Sequence, residues 1–363
     1  MKYIDEYRDV KLVRTLEKKI RREAIGSYIF MEVCGGHTAA IHRFGIPSLL
    51  PHNVTLLSGP GCPVCVTPVS TIDRTIELAS QKDVIITSFG DLIRVPGSVS
   101  SLEKEKAYGA DVRIVFSALE ALEIARASKG KKVIFLGIGF ETTAPGTAAA
   151  IIKAKESGIR NFFVLSAHKI MPPAMEAIIC DGTEINGFIC PGHVSTITGS
   201  KGFRFISEKY NLGCVISGFE PVDIMMSVLM LIRQVNNHKF LTEIQYSRAV
   251  TVEGNLKAQK IMDEVFTLAS NEWRGLGTIE RSGLKINDKY SAHDAEKVFS
   301  LKGLSENLRE NTSCLCGEVL RGRKRPTDCR LFAGVCTPDN PVGACMVSAE
   351  GACNAFYKYR RNG

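Results

Sequence analysis

Twelve cysteines stand in a chain of 363 residues, and they are unevenly spaced. Six fall between Cys314 and Cys353, two form Cys62-Pro63-Val64-Cys65, and Cys34, Cys180, Cys190 and Cys214 stand apart. In a reducing compartment structural disulfides are rare, so a clustered pattern points to metal or redox chemistry. The tail reads Cys314-x-Cys316-x12-Cys329-x6-Cys336-x8-Cys345-x7-Cys353 and holds no C-x-x-C knuckle. Structural zinc usually arrives on paired knuckles, whereas iron–sulfur clusters take thiolates from dispersed loop positions, and the spacing favours a cluster. It leaves six candidate ligands for four places. The run Arg321, Arg323, Lys324 and Arg325 lies inside this segment; it suits either the negative charge of a thiolate-ligated cubane or a solvated basic loop.

Gly59-Pro60-Gly61-Cys62-Pro63-Val64-Cys65 follows an expected strand at Val54–Leu57. A C-x-x-C pair where a strand passes into a helix can have one thiol acidified by helix N–H groups, giving a dithiol that cycles with its disulfide. Half of a zinc site is the competing reading, and the chain has no second C-x-x-C to complete it. Cys34-Gly35-Gly36-His37-Thr38 also ends an expected strand. Its glycines admit a ligand close to the backbone, its thiolate is a soft ligand for iron, and His37 could hold that thiolate or relay a proton. A plain helix entry is the alternative for this motif.

These motifs need elements that hold them. Short Val-, Ile- and Phe-rich runs recur at strand length, each followed by a helical pattern. Strands are expected near Ile29–Val33, Val54–Leu57, Val84–Thr87 and Val112–Phe116, then near Val133–Leu136, Phe162–Leu165, Gly187–Ile189 and Cys214–Ile216. Helices are expected at Ala118–Ala127 and Val222–Val235. Gly139-Phe140-Glu141 and Gly218-Phe219-Glu220 form a weak internal echo, each after a strand. The fold class is therefore α/β, with two tandem Rossmann-like parallel domains at 1–130 and 131–240. A third region, 241–363, is expected to be helical over Leu241–Ser270 and then loop-rich around the cysteines. Loops at the carboxyl edge of a parallel sheet are where ligands bind, and nearly every motif falls there.

Composition limits the function. The chain is 45% hydrophobic and 23% charged, with a net charge of +8, and no apolar stretch approaches the length of a membrane span. Its basic clusters lack interleaved aromatics, so neither nucleic acid nor membrane is expected as a partner. The charged first twenty residues do not read as a secretory signal, and a cytoplasmic location is expected. No P-loop occurs, and Gly137-Ile138-Gly139 lacks the third glycine of a dinucleotide fingerprint.

Taken together, Cys34-Gly-Gly-His-Thr38, Gly59-Pro-Gly-Cys-Pro-Val-Cys65, Gly139-Phe-Glu-Thr-Thr143, Pro191-Gly-His-Val-Ser195 and the terminal cysteine array resemble the HypD family of hydrogenase maturation factors from end to end. The resemblance implies a scaffold that, with the small partner HypC, assembles the Fe(CN)2CO group of [NiFe]-hydrogenases for the large subunit, receiving cyanide from HypE or a HypE–HypF complex. It implies two similar α/β domains and a [4Fe-4S] cluster on Cys314, Cys329, Cys336 and Cys353, leaving Cys316 and Cys345 over. The cluster surroundings would be similar to those of ferredoxin:thioredoxin reductase, with Cys62 and Cys65 as the disulfide. Cys34 would hold the transient iron group with His37 beside it. Glu141, Thr142, Thr143, His193 and Ser195 would contact cyanide nitrogens or HypC, although a helix N-cap and a turn at Pro191 explain those motifs equally well. His168 reads as structural. A stand-alone thiol–disulfide reductase and a zinc-stabilised interaction module are the alternatives. The redox reading requires the Cys62–Cys65 pair to lie beside the tail cysteines.

Overall fold

The computed structural model describes residues 5–299 and 313–360. The apolar runs become strands close to the expected places: β1 (Tyr28–Glu32), β2 (Val54–Ser58), β3 (Val84–Ser88), β4 (Val112–Ile114), β5 (Lys132–Gly137), β6 (Phe162–Ser166), β7 (Gly187–Pro191) and β8 (Gly213–Ser217). Three more follow: β9 (Thr242–Ile244), β10 (Phe266–Trp273) and β11 (Gly277–Ile286). Two all-parallel sheets result, one in the order β2-β1-β7-β8-β9 and one in the order β4-β3-β5-β6. β3 and β8 are buried at every position, as strands covered by helices on both faces must be. The chain is thus an α/β protein with two Rossmann-like parallel sheets.

The sheets do not divide the strands at residue 130. The chain lays down β1 and β2, leaves to build the whole four-stranded sheet with β3 to β6, then returns to set β7 against β1. Local periodicity marks strands and helices in order but carries no information about which strands pair. The two Gly-Phe-Glu segments follow β5 and β8, one in each sheet.

The expected helix over Leu241–Ser270 is corrected by the structure. Only Leu256–Val265 is helical there, and β10 and β11 form an antiparallel hairpin with an irregularity between Ala269 and Asn271. Most of β10 faces outward, with Phe266 and Trp273 buried at its two ends, so it shows no clean alternation to read. Tertiary contacts make it a strand. Trp273 stacks on Phe140 and donates its indole N–H to Ser282 Oγ at 2.8 Å, while buried Lys169 donates to Asn271 Oδ1 at 2.9 Å. The hairpin turn then spans the gap to the tail. A Cβ on Gly275 (φ +78°) would lie 2.4 Å from Gly317 Cα, Arg321 Nε donates to Gly275 O at 2.9 Å, and the Arg274 N–H donates to Val66 O at 2.9 Å.

Beyond β8 a buried polar knot sets the adjoining loop. Asp223, fully buried, accepts from Arg248 Nη1 at 2.8 Å, Gln245 Nε2 at 2.9 Å and the Glu220 N–H at 3.1 Å. Gln245 in turn accepts the Gly218 N–H at 3.0 Å. Removing the acid leaves a half-buried cation, the Gln245 amide and a backbone N–H without their acceptor, so Asp223→Ala should cost about 1–3 kcal/mol in urea denaturation; a loss well below about 1 kcal/mol, the scale of an exposed pair, would show that the knot does not hold the loop.

His168, expected to be structural, is buried between Thr147 Oγ1 and Ser166 Oγ, each at 3.2 Å, and burial pushes its pKa down to about 3. The unfolded chain therefore takes up this proton near pH 6.5 while the folded chain refuses it, and stability from this residue is lost as pH falls. The stability difference between wild type and His168→Gln should move against the wild type from about pH 6.5 towards pH 3. A difference that stays constant across that window would show the imidazole to be protonated in the fold.

Candidate functional site

β1 ends at Glu32, and Cys34 occupies the N-cap position of the helix Gly35–Arg43. Burial, then the nearby Glu350 carboxylate, push its thiol up to about 12, against the smaller opposing pull of the Gly36 and His37 N–H groups. Glu32 turns back beneath it, accepting from the Cys34 N–H at 3.1 Å and from Thr38 Oγ1, and burial pushes this carboxyl up to about 7. His37 is fully buried and lies within hydrogen-bond distance of two carbonyls through Nε2, Ser217 O at 3.2 Å and Gly218 O at 3.0 Å. Carbonyls only accept, so the proton sits on Nε2 and Nδ1 remains an acceptor without a partner among the described residues. Burial holds His37 at about 4, neutral at ordinary pH. Phe219 lies between two imidazoles, 4.5 Å from the His37 ring and 3.9 Å from the His193 ring.

β2 brings the C-x-x-C segment directly over Cys34. The Gly59 N–H donates to Glu32 O at 2.7 Å and the Gly35 N–H to Gly61 O at 2.9 Å. A Cβ on Gly61 would sit 2.1 Å from Cys34 N, so only glycine allows this approach. Cys62 caps the one-turn helix Pro63–Val66, and Cys62 and Cys65 form a buried disulfide. Ala344 O lies 3.9 Å from Cys65 Sγ. Ala344 opens the short helix Ala344–Val347, which carries Cys345 and packs on the helix Pro63–Val66. The C-x-x-C pair and the tail cysteines are therefore neighbours.

Cys314, Cys316, Cys329, Cys336, Cys345 and Cys353 line a single cavity with Phe332, Gly343 and Met346. A Cβ on Gly343 would come 2.6 Å from Cys314 Sγ, so the loop leaves room for that sulfur. Among the described residues no three His, Cys, Asp or Glu side chains are gathered so as to hold a metal ion as they stand. An all-thiol lining with apolar packing fits a soft, multi-iron group in its donor chemistry. Cys316 lies beside both Cys314 and Cys345. The cation facing these thiols is Arg274 of the hairpin turn, whose charge acts on Cys314, Cys316 and Cys345. Of the basic run, Arg321 and Arg323 pair with Asp181 at 3.5 and 2.8 Å. Helix Ala352–Arg360, which bears Cys353, packs on the helix that follows Cys34, and Glu350 sits against Gly35.

The remaining motif residues divide. His193 joins the Cys34 side through Phe219. Ser195 is buried and gives its hydroxyl to Pro191 O at 2.8 Å, within the helix Gly192–Thr198. Glu141 lies at the carboxyl edge of the other sheet, accepts the Met171 N–H at 3.0 Å, and is pushed up to about 7 by burial. Thr143 stands at the N-cap position of Ala144–Glu156 without capping it; its hydroxyl goes to Ile138 O at 3.2 Å. Thr142 is exposed. Arg274, Glu350 and Glu32 belong to no motif, and no local pattern marks them. Phe219 stood in the Gly-Phe-Glu echo, the one signal that could have flagged it.

Comparison with known proteins agrees with this architecture. The family model described as HypD, hydrogenase formation hypA family, matches residues 11–360. The hydrogenase maturation factor HypD2 of Bradyrhizobium diazoefficiens is 48% identical, covering 99% of this chain and 97% of its own. The HypD of Cupriavidus necator is likewise 48% identical, covering 99% of this chain and 98% of its own. A putative hydrogenase expression/formation protein of Methanocaldococcus jannaschii is 45% identical over 97% of this chain and 98% of its own. No helix among the described residues is long and apolar enough to cross a membrane. With motifs, sheets and full-length similarity in agreement, the chain belongs to the HypD family of hydrogenase maturation factors.

Proposed function

We propose that this maturation factor is a redox-active scaffold on which, together with HypC, the Fe(CN)2CO group of [NiFe]-hydrogenases is assembled for the large subunit. Cyanide comes from HypE, alone or with HypF. The observation that carries this reading is the meeting of three sulfur sites, with Cys34 under Gly61, the Cys62–Cys65 disulfide, and six thiols around one cavity, whose lining residues Gly343 and Cys345 flank the Ala344 that contacts Cys65.

Cys34 is the ligand for the iron cargo. A buried neutral thiol beside carboxyls resists ionisation, so its proton leaves when a soft cation arrives to replace it. The N–H groups of Gly36 and His37 then steady the sulfur charge, and Glu32 and Glu350 are the nearby proton acceptors. The Phe219 sandwich holds His37 and His193 in a fixed relation at the rim. Exposed Thr142, with Glu141 and Thr143, belongs to the other sheet edge and serves partner contact rather than the iron.

Cys314, Cys329, Cys336 and Cys353 hold a [4Fe-4S] cluster, which supplies single electrons when bound. Two electrons and two protons open the Cys62–Cys65 bond to two thiols. Arg274 offsets the negative charge of thiolates gathered in a poorly hydrated cavity. The stand-alone reductase is the second reading, favoured by the same disulfide beside the same thiols, and it gives Cys34 no part.

Infrared spectroscopy of the complex co-purified with HypC separates the two. The native chain should show cyanide and carbonyl stretching bands, and Cys34→Ala should lose them while keeping its Cys62–Cys65 dithiol titration. Unchanged bands in the variant reject Cys34 as the ligand. Purified without oxygen, the chain should be brown and carry about four iron and four sulfide. Cys336→Ala should lose most of that iron; a colourless native protein loaded with zinc would remove the cluster.

A further inference from the structure

Cys190 and Cys214 stand outside the three sulfur sites. They lie on β7 and β8, which run parallel and adjacent in the five-stranded sheet. Phe188 is level with Cys214 and Cys190 with Ile216, and side chains two apart on a strand share a face, so the two thiols meet diagonally on one side of the sheet. Their sulfurs are 3.0 Å apart, and both residues are fully buried.

The surroundings limit what two such thiols can do. Among the described residues no third His, Cys, Asp or Glu joins them as a metal-holding group, so a zinc or iron ion would lack its ligand set. Apart from Cys214, the polar neighbour of the Cys190 sulfur is Phe188 O at 4.0 Å. Burial, then the hydrogen bond with Cys214, raises the Cys190 thiol well above its ordinary value, which disfavours a free thiolate acting on an outside substrate. A disulfide is uncharged and needs the sulfurs only about 1 Å closer, at roughly 2.05 Å. We propose that Cys190 and Cys214 are a fourth sulfur site, a dithiol that closes to a disulfide between β7 and β8 by exchange with a low-molecular-weight disulfide.

One cysteine gives up its proton and attacks the small disulfide, forming a mixed disulfide and releasing one thiolate, which takes that proton. The second cysteine then attacks the sulfur of the first and expels the other half of the small molecule. Two electrons and two protons pass from the cysteine pair to the small disulfide, which leaves as two thiols. The first attack needs a transient opening of the sheet, since neither residue is exposed. Once formed, the bond is shielded from reductant by the same burial. β7 leads into the helix that carries His193, and β8 into Gly218 and Phe219, so the closed form ties together the two strands that present the Phe219–His193 stack.

The test equilibrates the full chain with glutathione buffers of graded oxidised-to-reduced ratio, approached from both sides, in urea too dilute to unfold it. Acid quenching, alkylation after denaturation and tryptic mapping then read the state of each cysteine. The peptide carrying Cys190 should be linked to the one carrying Cys214, at a ratio at least about tenfold more reducing than the fully unfolded chain requires. Cys180 shares the tryptic peptide of Cys190, so Cys180→Ser should keep the link, and Cys190→Ala should lose it with the Cys62–Cys65 titration unchanged. Cys190 and Cys214 both alkylated at every ratio overturn the proposal, with the Cys62–Cys65 pair in the same digest showing that the buffer exchanges. A link that survives Cys190→Ala, or one that forms no more readily in the fold than in the unfolded chain, overturns it as well.

Discussion

Close approach of one backbone to another, at points where a side chain is missing, is the constraint on which the sulfur chemistry depends. Gly61 lies so near Cys34 N that any Cβ would collide, and that contact, with the Gly59–Glu32 and Gly35–Gly61 backbone hydrogen bonds, stacks the C-x-x-C loop on the Cys34 motif. A second contact, Gly275 on Gly317, ties the hairpin turn to the helix that begins at Cys316. Between them they hold three sulfur sites at the carboxyl edge of one parallel sheet, where strand ends from β1, β2, β7 and β8 all deliver loops. Larger residues at these points would force the three sulfur sites apart.

Burial governs the charge state of the centre. Glu32, Cys34 and His37 each lean toward the neutral form, and in each case loss of water is the largest cause. A thiol flanked by two such acids stays neutral until a positive charge enters beside it. The C-terminal thiols crowd one another in the same way, and the cation set against them comes from a hairpin that is remote in sequence.

Strands, their lengths and their order were legible because apolar periodicity is local: β1 to β8 fall within a residue or two of where the Val-, Ile- and Phe-rich runs place them, and Ala118–Ala127 is helical end to end. The motifs that carry chemistry were legible for the same reason, since a thiol pair with two residues between its members or a Gly-Gly-His entry declares its type without the fold. The hairpin was not, because its outward-facing strand is held by Phe140 and Lys169 rather than by its own pattern.

By itself, then, the amino-acid order determined the α/β class, the sulfur inventory and the family, all of which rest on spacing along the chain. Tertiary structure alone decided that β7 pairs with β1 rather than with β6, that Arg274 rather than the Arg321–Arg325 run faces the thiols, and that the hydroxyls of Ser195 and Thr143 are spent on local carbonyls. The physical reason is that pairing, desolvation and hydrogen-bond choice are settled by whatever surface arrives from elsewhere in the chain. Spacing along a single strand or helix does not encode that surface.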